Sequence, residues 1–281
     1  MDNSTVIFAY RTDLLAEVGK TVDDMTGIKW SDLTDIGEQV YAKTGKYLFS
    51  TSADGGDLVY MMMQSEGVAE FKDGELGSPR TKRCIVSARP SWIWASARPA
   101  IWQTAGATTS TRAFRRHGRR CAERQLDHPH HGAVTENSGK WEITTIPTLD
   151  GGEGYASNGG CGLYITANCG NVDLAKSFLA YTFGGSTQTY DNALRDGGVV
   201  TTVLKCADSD VYNEGVAFFN NEPIYKQIVE MGSHVPVIEQ SDYHFRAGVY
   251  LITAIINTVN GSKLDDELAN AEQQLRFEMG L

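Results

Sequence analysis

Four clusters of residues could do chemistry in this 281-residue chain. Asp54-Gly55-Gly56-Asp57 puts two carboxylates on one glycine turn. Such a turn suits helix capping, and two acids also raise the idea of a glycosidase pair. Both acids lie on the same turn, however, so they would not flank a scissile bond from opposite sides. Arg115-Arg116-His117-Gly118-Arg119-Arg120 has the charge of a nucleic-acid patch. His128-Pro129-His130-His131 has imidazoles for a metal, but no carboxylate or thiol sits at a supporting spacing. Tyr243-His244-Phe245 offers three flat rings in a row. No Ser/His/Asp set, phosphate-binding loop or zinc motif appears, and no cofactor is implied.

The arginine and histidine clusters share one foreign-looking stretch. Residues 78–132 hold ten arginines and one lysine against Glu123 and Asp127, a net +9 in a chain of net −10. The same stretch has three of the five Trp and four of the six His, with no apolar period that would define a buried face. It is therefore set aside in reading function, and with it the nucleic-acid and metal readings. The remainder is strongly acidic, which argues against nucleic acid or anionic lipid as a partner. At 41% hydrophobic and 21% charged residues the composition is globular. No apolar run reaches the ~18 residues of a membrane helix, and no export signal opens the chain. Cys84 and Cys121 lie in the odd stretch. Cys161, Cys169 and Cys206 lack a metal spacing and read as small buried thiols, with a Cys161–Cys169 bridge left open.

Positioning these residues falls to alternating strands and helices. The pattern predicts a strand over 5–10, a helix over 13–18 ended by Gly19, and a helix from Trp30-Ser31 to Gly45. In the second helix Ser31 serves as cap and Leu33, Ile36 and Val40 share one face. Tyr47–Thr51 reads as a strand and Leu58–Gln64 as an apolar helix. Beyond the odd stretch, Trp141–Leu149 reads as a strand with Trp141 in the core. The glycine-rich loop Gly151–Gly160 follows, then a strand over 162–166. A helix capped by Asn171 would place Val172, Ala175, Phe178 and Leu179 on one stripe. Helices over 186–194, 209–219, 223–230 and 249–259 come next, and a final one with a Ser262/Asp265 capping box.

The order of these segments resembles a known family. Phe8-Ala9-Tyr10-Arg11-Thr12-Asp13-Leu14-Leu15, Trp30-Ser31-Asp32-Leu33 and Lys43-Thr44-Gly45-Lys46 are similar to the start of the second lobe of extracellular solute-binding proteins. The group is the carbohydrate-binding one that includes maltose-binding protein. Ser138-Gly139-Lys140-Trp141 through Ile146-Pro147, the glycine loop, Ala175-Lys176-Ser177-Phe178-Leu179, and the tail Ala254-Ile255-Ile256-Asn257 with Gly261 continue the likeness. Together these motifs cover about four-fifths of the chain.

The resemblance implies an α/β, periplasmic-binding-protein-like fold of two lobes joined by crossing strands, with a sugar held between them. It implies a substrate-binding component of an ABC importer, acting outside the cytoplasm with permease subunits as partners, and not an enzyme. A glycosidase-like protein and an inert, non-folding remnant are the alternatives. The implied organisation is lobe two over 1–77, an aberrant segment over 78–132, lobe two and a return hinge strand over 133–149, a returning piece of lobe one over 150–205, and lobe-two helices over 206–281. The first part of lobe one would be absent, and 78–132 would be translated in a wrong frame and irregular. The expectation is then a non-functional fragment that exposes Leu163, Ile165 and Phe178. The implied ligand contacts are Asp54 and Asp57 on the strand-to-helix turn, Tyr155, Asn158, Gly159 and Gly160 in the loop facing the cleft, and Tyr243 and His244 before the tail helix. Glycines in that loop let backbone N–H groups approach a hydroxyl closely. Tyr243 is the expected stacking aromatic, with a loss of about 1–3 kcal/mol on replacement by Ala.

Overall fold

The computed structural model describes residues 3–51, 56–69, 71–72, 75–76, 102–104, 109–113, 137–149 and 152–281. Its centre is a five-stranded sheet in the order β5-β2-β6-β1-β7. These strands are β1 (Phe8–Arg11), β2 (Tyr47–Thr51), β5 (Trp102–Thr104), β6 (Thr109–Ala113) and β7 (Trp141–Thr144). A separate two-stranded ribbon pairs β3 (Phe71–Lys72) with β4 (Glu75–Leu76). β1 runs antiparallel to both β6 and β7, with Ala9 opposite Arg112 and Ile143. β2 runs parallel to β5 and β6.

β1 is paired on both edges and both of its faces are covered, which explains its unbroken apolar text. Phe8 and Tyr10 join Leu15, Trp30, Leu33, Ile36, Val40, Met61, Met62 and Ile146 in the main core. Ile7 and Ala9 face a second core with Trp141, Ile143, Phe218, Phe219 and Ile224. The two stretches expected to meet near a hinge are therefore direct neighbours in one sheet.

The helices that position the site are α1 (Thr12–Ala16), α2 (Trp30–Thr44) and α3 (Gly56–Ser65). Later in the chain come α4 (Val172–Phe183), α5 (Thr187–Gly197), α6 (Leu204–Ala207), α7 (Ile224–Ser233), α8 (His244–Val259) and α9 (Leu264–Met279). α2 ends as predicted, with Gly45 left-handed at φ 68°. Its start differs. Lys29 occupies the cap position, and Ser31 lies inside the first turn with its hydroxyl on Asp32. The last helix likewise begins after Lys263, which leaves Ser262 one residue too early to cap it. Asn171 does cap α4, accepting from the Leu174 amide at 2.9 Å.

Other expectations need correction. Residues 162–166 do not form a strand: no neighbouring strand among the described residues offers them a ladder, and Leu163 and Tyr164 are exposed. The single helix expected over 209–219 is two 3-10 turns, Asp210–Asn213 and Ala217–Phe219. Gly215 lies between them, pressed on the backbone of Asn221. Within the odd stretch the described residues form two short strands. β5 and β6 lie within 78–132, and β6 is inserted between β1 and β2. Ladder bonds are made by backbone groups, so a segment without side-chain period can still fill a gap between two strands. Cys206 is buried, whereas Cys161 and Cys169 are only half-buried and form no disulfide.

α4 buries none of its residues fully. Leu174, Phe178 and Tyr181, at i, i+4 and i+7, are 66%, 56% and 84% exposed. An apolar stripe in water favours self-association. Replacing all three with Ser should raise the soluble fraction on expression severalfold, read by sedimentation and light scattering. Unchanged solubility would show that the stripe is not the cause of aggregation.

Candidate functional site

A cavity of about 320 Å³ opens where α3, the glycine loop, the segment before α8 and α8 itself converge. α3 presents Tyr60 and Gln64, one turn apart on the same face. The loop contributes Ser157, Asn158 and Gly159, and the segment before α8 contributes Ile238 and Gln240. α8 lays His244, Phe245, Gly248, Val249 and Ile252 along the opposite wall.

The aromatic side is continuous. The Tyr60 and His244 rings are 5.1 Å apart at 54°, and His244 and Phe245 are 5.6 Å apart at 66°. Phe245 is 86% exposed and offers a ring face to whatever enters. The polar side consists of two amides, Gln64 and Asn158, with Gln240 and the Ser157 hydroxyl. Amides and hydroxyls carry donors and acceptors in fixed planes, which suits a ligand with many hydroxyls. Rings beside them suit its C–H surface.

The loop is fixed to β1. Val6 donates to the Ala156 carbonyl at 2.8 Å, and Asn158 donates to the Ser4 carbonyl at 2.9 Å. Gly159 and Gly160 have φ of 112° and 100°, so the chain turns there in a way a side chain would resist.

Asn158, Gly159 and His244 thus meet at one cavity, and Gly160 follows directly. Tyr155 does not line it and stacks instead on His234, 5.0 Å away at 25°. Tyr243 is also elsewhere, packed with Ala247, Leu275 and Met279 between α8 and α9. Asp57 lies in the first turn of α3, one turn before Tyr60, and Asp54 lies outside the described residues. The arginine and histidine clusters of 115–131 lie outside them as well. Among the described residues no group of three potential metal ligands is found, and no helix is long and apolar enough to cross a membrane. Tyr60, Gln64, Ser157 and Gln240 also line the cavity and were not singled out in the sequence, whereas Phe245 belongs to the ring cluster noted there. Gln64 did leave a signal, as the polar break at the end of an apolar helix.

The clear pKa shifts lie away from this cavity. The Arg11 guanidinium grips Asp13 through two bonds of 2.7 and 2.6 Å and holds its carboxyl below the usual range. Arg11 also lies 5.9 Å from the Trp141 ring centre, which ties β1 to β7. Burial alone raises the Tyr10 phenol.

Gly248 sets how closely α8 approaches α3. A Cβ there would fall on the Tyr60 hydroxyl, with the attached ring carbon at 2.9 Å. Gly to Ala inside a helix normally gains up to about 1 kcal/mol. Here the overlap should reverse the sign, and Gly248→Ala should destabilise by about 1–3 kcal/mol. Adding Tyr60→Phe should recover part of that loss in thermal melts. A stabilised Gly248→Ala would mean that Tyr60 yields freely.

The fold is periplasmic-binding-protein-like, the fold of two-lobe solute-binding proteins. A model of the bacterial extracellular solute-binding protein family matches residues 1–220, and the chain belongs to that family. The chain is 25% identical over 282 residues to the lactose-binding protein of Rhizobium radiobacter, covering 97% of this chain and 65% of that protein. Its fold matches a crystal structure of an extracellular solute-binding protein of family 1 (TM-score 0.70, 16% identity, 98% of this chain and 71% of the other). It also matches the sugar-binding protein of Xanthomonas citri (TM-score 0.71, 13% identity, 96% and 67%). At those identities the likeness shows the fold.

Proposed function

We propose that the protein is a substrate-binding component of an ABC importer for a sugar or oligosaccharide. The observation that carries this reading is the cavity wall itself: the Tyr60, His244 and Phe245 rings line one cavity together with the Asn158, Gln64 and Gln240 amides. Membership of an extracellular family supports a place of action outside the cytoplasm, with permease subunits of the transporter as partners. The relatives are binding proteins, which supports binding without catalysis. The organisation into lobe-two segments, a returning segment over 150–205 and an aberrant 78–132 remains part of this proposal. So does the assignment of Asp54, Asp57 and Gly160 as further contacts. An enzymatic reading gains nothing from the described residues: Asp57 is the one member of the acidic pair among them.

Titration calorimetry against lactose, maltose and larger neutral glycans tests the reading; binding of at least one is expected from the rings and amides that line the cavity, and it would overturn the expectation of a non-functional fragment. Phe245→Ala should weaken that binding by about 1–3 kcal/mol, and Asn158→Ala by about 0.5–1.5 kcal/mol. Tyr243→Ala makes the comparison. Its ring lies between α8 and α9, so its loss should lower the melting temperature more than the affinity. No heat from any glycan, with the protein shown to be folded, would remove the sugar-binding reading.

A further inference from the structure

The end of α3 holds both stems of the glycine loop. Glu66 accepts from the Leu149 amide at 2.9 Å, where β7's extension runs into the loop. Gln64 accepts from the Ser157 amide at 2.7 Å, where the loop leaves. Two residues apart on one helix end, these side chains clamp the two ends of a loop nearly a hundred residues away in sequence.

Gln64 does more than Glu66. Its Oε1 takes the Ser157 amide and, at 3.3 Å, the Ser157 hydroxyl. Its Nε2 reaches the Ser157 hydroxyl at 3.3 Å and donates to the carbonyl of Pro236 at 3.4 Å. Ser157 is bridged to Thr5, and Asn158 donates to Ser4. The carboxamide thus links the segments near 156–158 and 236, and backbone bonds tie the first of these to residues 4–6. The Tyr155–His234 stack joins the second and third of them again. The same carboxamide lines the cavity beside Ser157, Asn158 and Gly159.

We propose that Gln64 is the positioning residue of the binding site. It sets the Ser157–Gly159 wall against the segment through Pro236, so ligand affinity depends on a bond network that the ligand need not touch. The affinity part of this inference rests on the sugar-binding reading; the loop-holding part does not. An amide is required for the role. The acceptor half takes the Ser157 amide, the donor half serves the Ser157 hydroxyl and the Pro236 carbonyl, and no other uncharged side chain of that length supplies both.

The two halves can be separated. Gln64→Leu removes both. Gln64→Glu keeps the acceptor for Ser157 but turns a carboxylate oxygen toward the Pro236 carbonyl, and regains a donor only when it protonates. Hydrogen exchange followed by NMR or mass spectrometry should show the Ser157 amide exchanging at least tenfold faster in Gln64→Leu, at wild-type rate in Gln64→Glu, with the Phe8 amide unchanged in both. Calorimetry with lactose and maltose should show Gln64→Glu about tenfold weaker than wild type at pH 7. The deficit should shrink as pH falls toward the carboxyl range near ~4.3, relative to wild type at each pH. General loss of packing would not produce that recovery. Wild-type exchange at Ser157 in Gln64→Leu would overturn the proposal. So would Gln64→Glu binding like wild type at pH 7, or failing to recover at low pH. If wild type binds neither sugar, the functional reading fails, while the exchange rates still decide whether Gln64 holds the loop.

Discussion

Phe8→Ala should remove about 3–5 kcal/mol of stability, the cost of deleting a fully buried phenylalanine ring. Phe8 has no solvent exposure and sits on the strand that is paired on both edges. Its ring meets Trp30 edge-on, with centroids 5.7 Å apart at 82°, and lies 5.9 Å from Tyr10. The buried cluster it belongs to also holds Leu15, Leu33, Met61 and Ile146, which come from four different segments. No one of these can move in without breaking its own contacts, so the cavity should stay open. Against a whole-domain stability of about 5–15 kcal/mol, such a loss approaches unfolding. Denaturant melts of wild type, Phe8→Leu and Phe8→Ala should fall in that order. A loss under about 1 kcal/mol in Phe8→Ala would show that β1 is not the centre of the fold.

Gly154→Ala should be nearly as damaging for a different reason. Gly154 has φ 72°, where a side chain costs about 1–2 kcal/mol. A Cβ would also fall on the carbonyl oxygen of Ile146 and lie 3.2 Å from Thr145 Cβ. Backbone cannot step aside as a flexible side chain can. The loop would have to lift from β7's extension, losing the 3.1 Å bond from the Ile146 amide to the Gly154 carbonyl. The total should reach about 3 kcal/mol or more. Because the displaced loop leads to Ser157, Asn158 and Gly159, the variant should also lose ligand affinity. Gly139→Ala is the control: its φ is 76°, but nothing lies within 4 Å of the added carbon. It should cost only the conformational term. Equal losses in the two variants would mean that the contact with Ile146 plays no part.

Much of this protein was legible in local text. Apolar Val6–Tyr10 gave β1, the Leu33, Ile36 and Val40 spacing gave the buried face of α2, and Gly45 gave its end. Asn171 gave the cap of α4. Each of these rests on interactions within a few residues, which a sequence displays directly. The order of such motifs was enough to point to the solute-binding family. Composition also marked 78–132 as foreign.

Tertiary structure decided what side-chain patterns leave open. β5 and β6 come from a segment without apolar period, because strand pairing is set by the backbone groups of the neighbours on either side. The α4 stripe has the spacing of a core face, and Phe178 on it is exposed as the family likeness implied, because burial depends on what lies opposite and not on the helix. Tyr243 and His244 are adjacent in sequence and looked equivalent. Tyr243 is the cap residue of α8 and packs toward α9, whereas His244 is the first residue of the helix and lines the cavity. Gln64 could be seen in sequence only as a polar residue ending an apolar helix. That its one amide grips Ser157 and Pro236, 93 and 172 residues away, is a property of the folded chain alone.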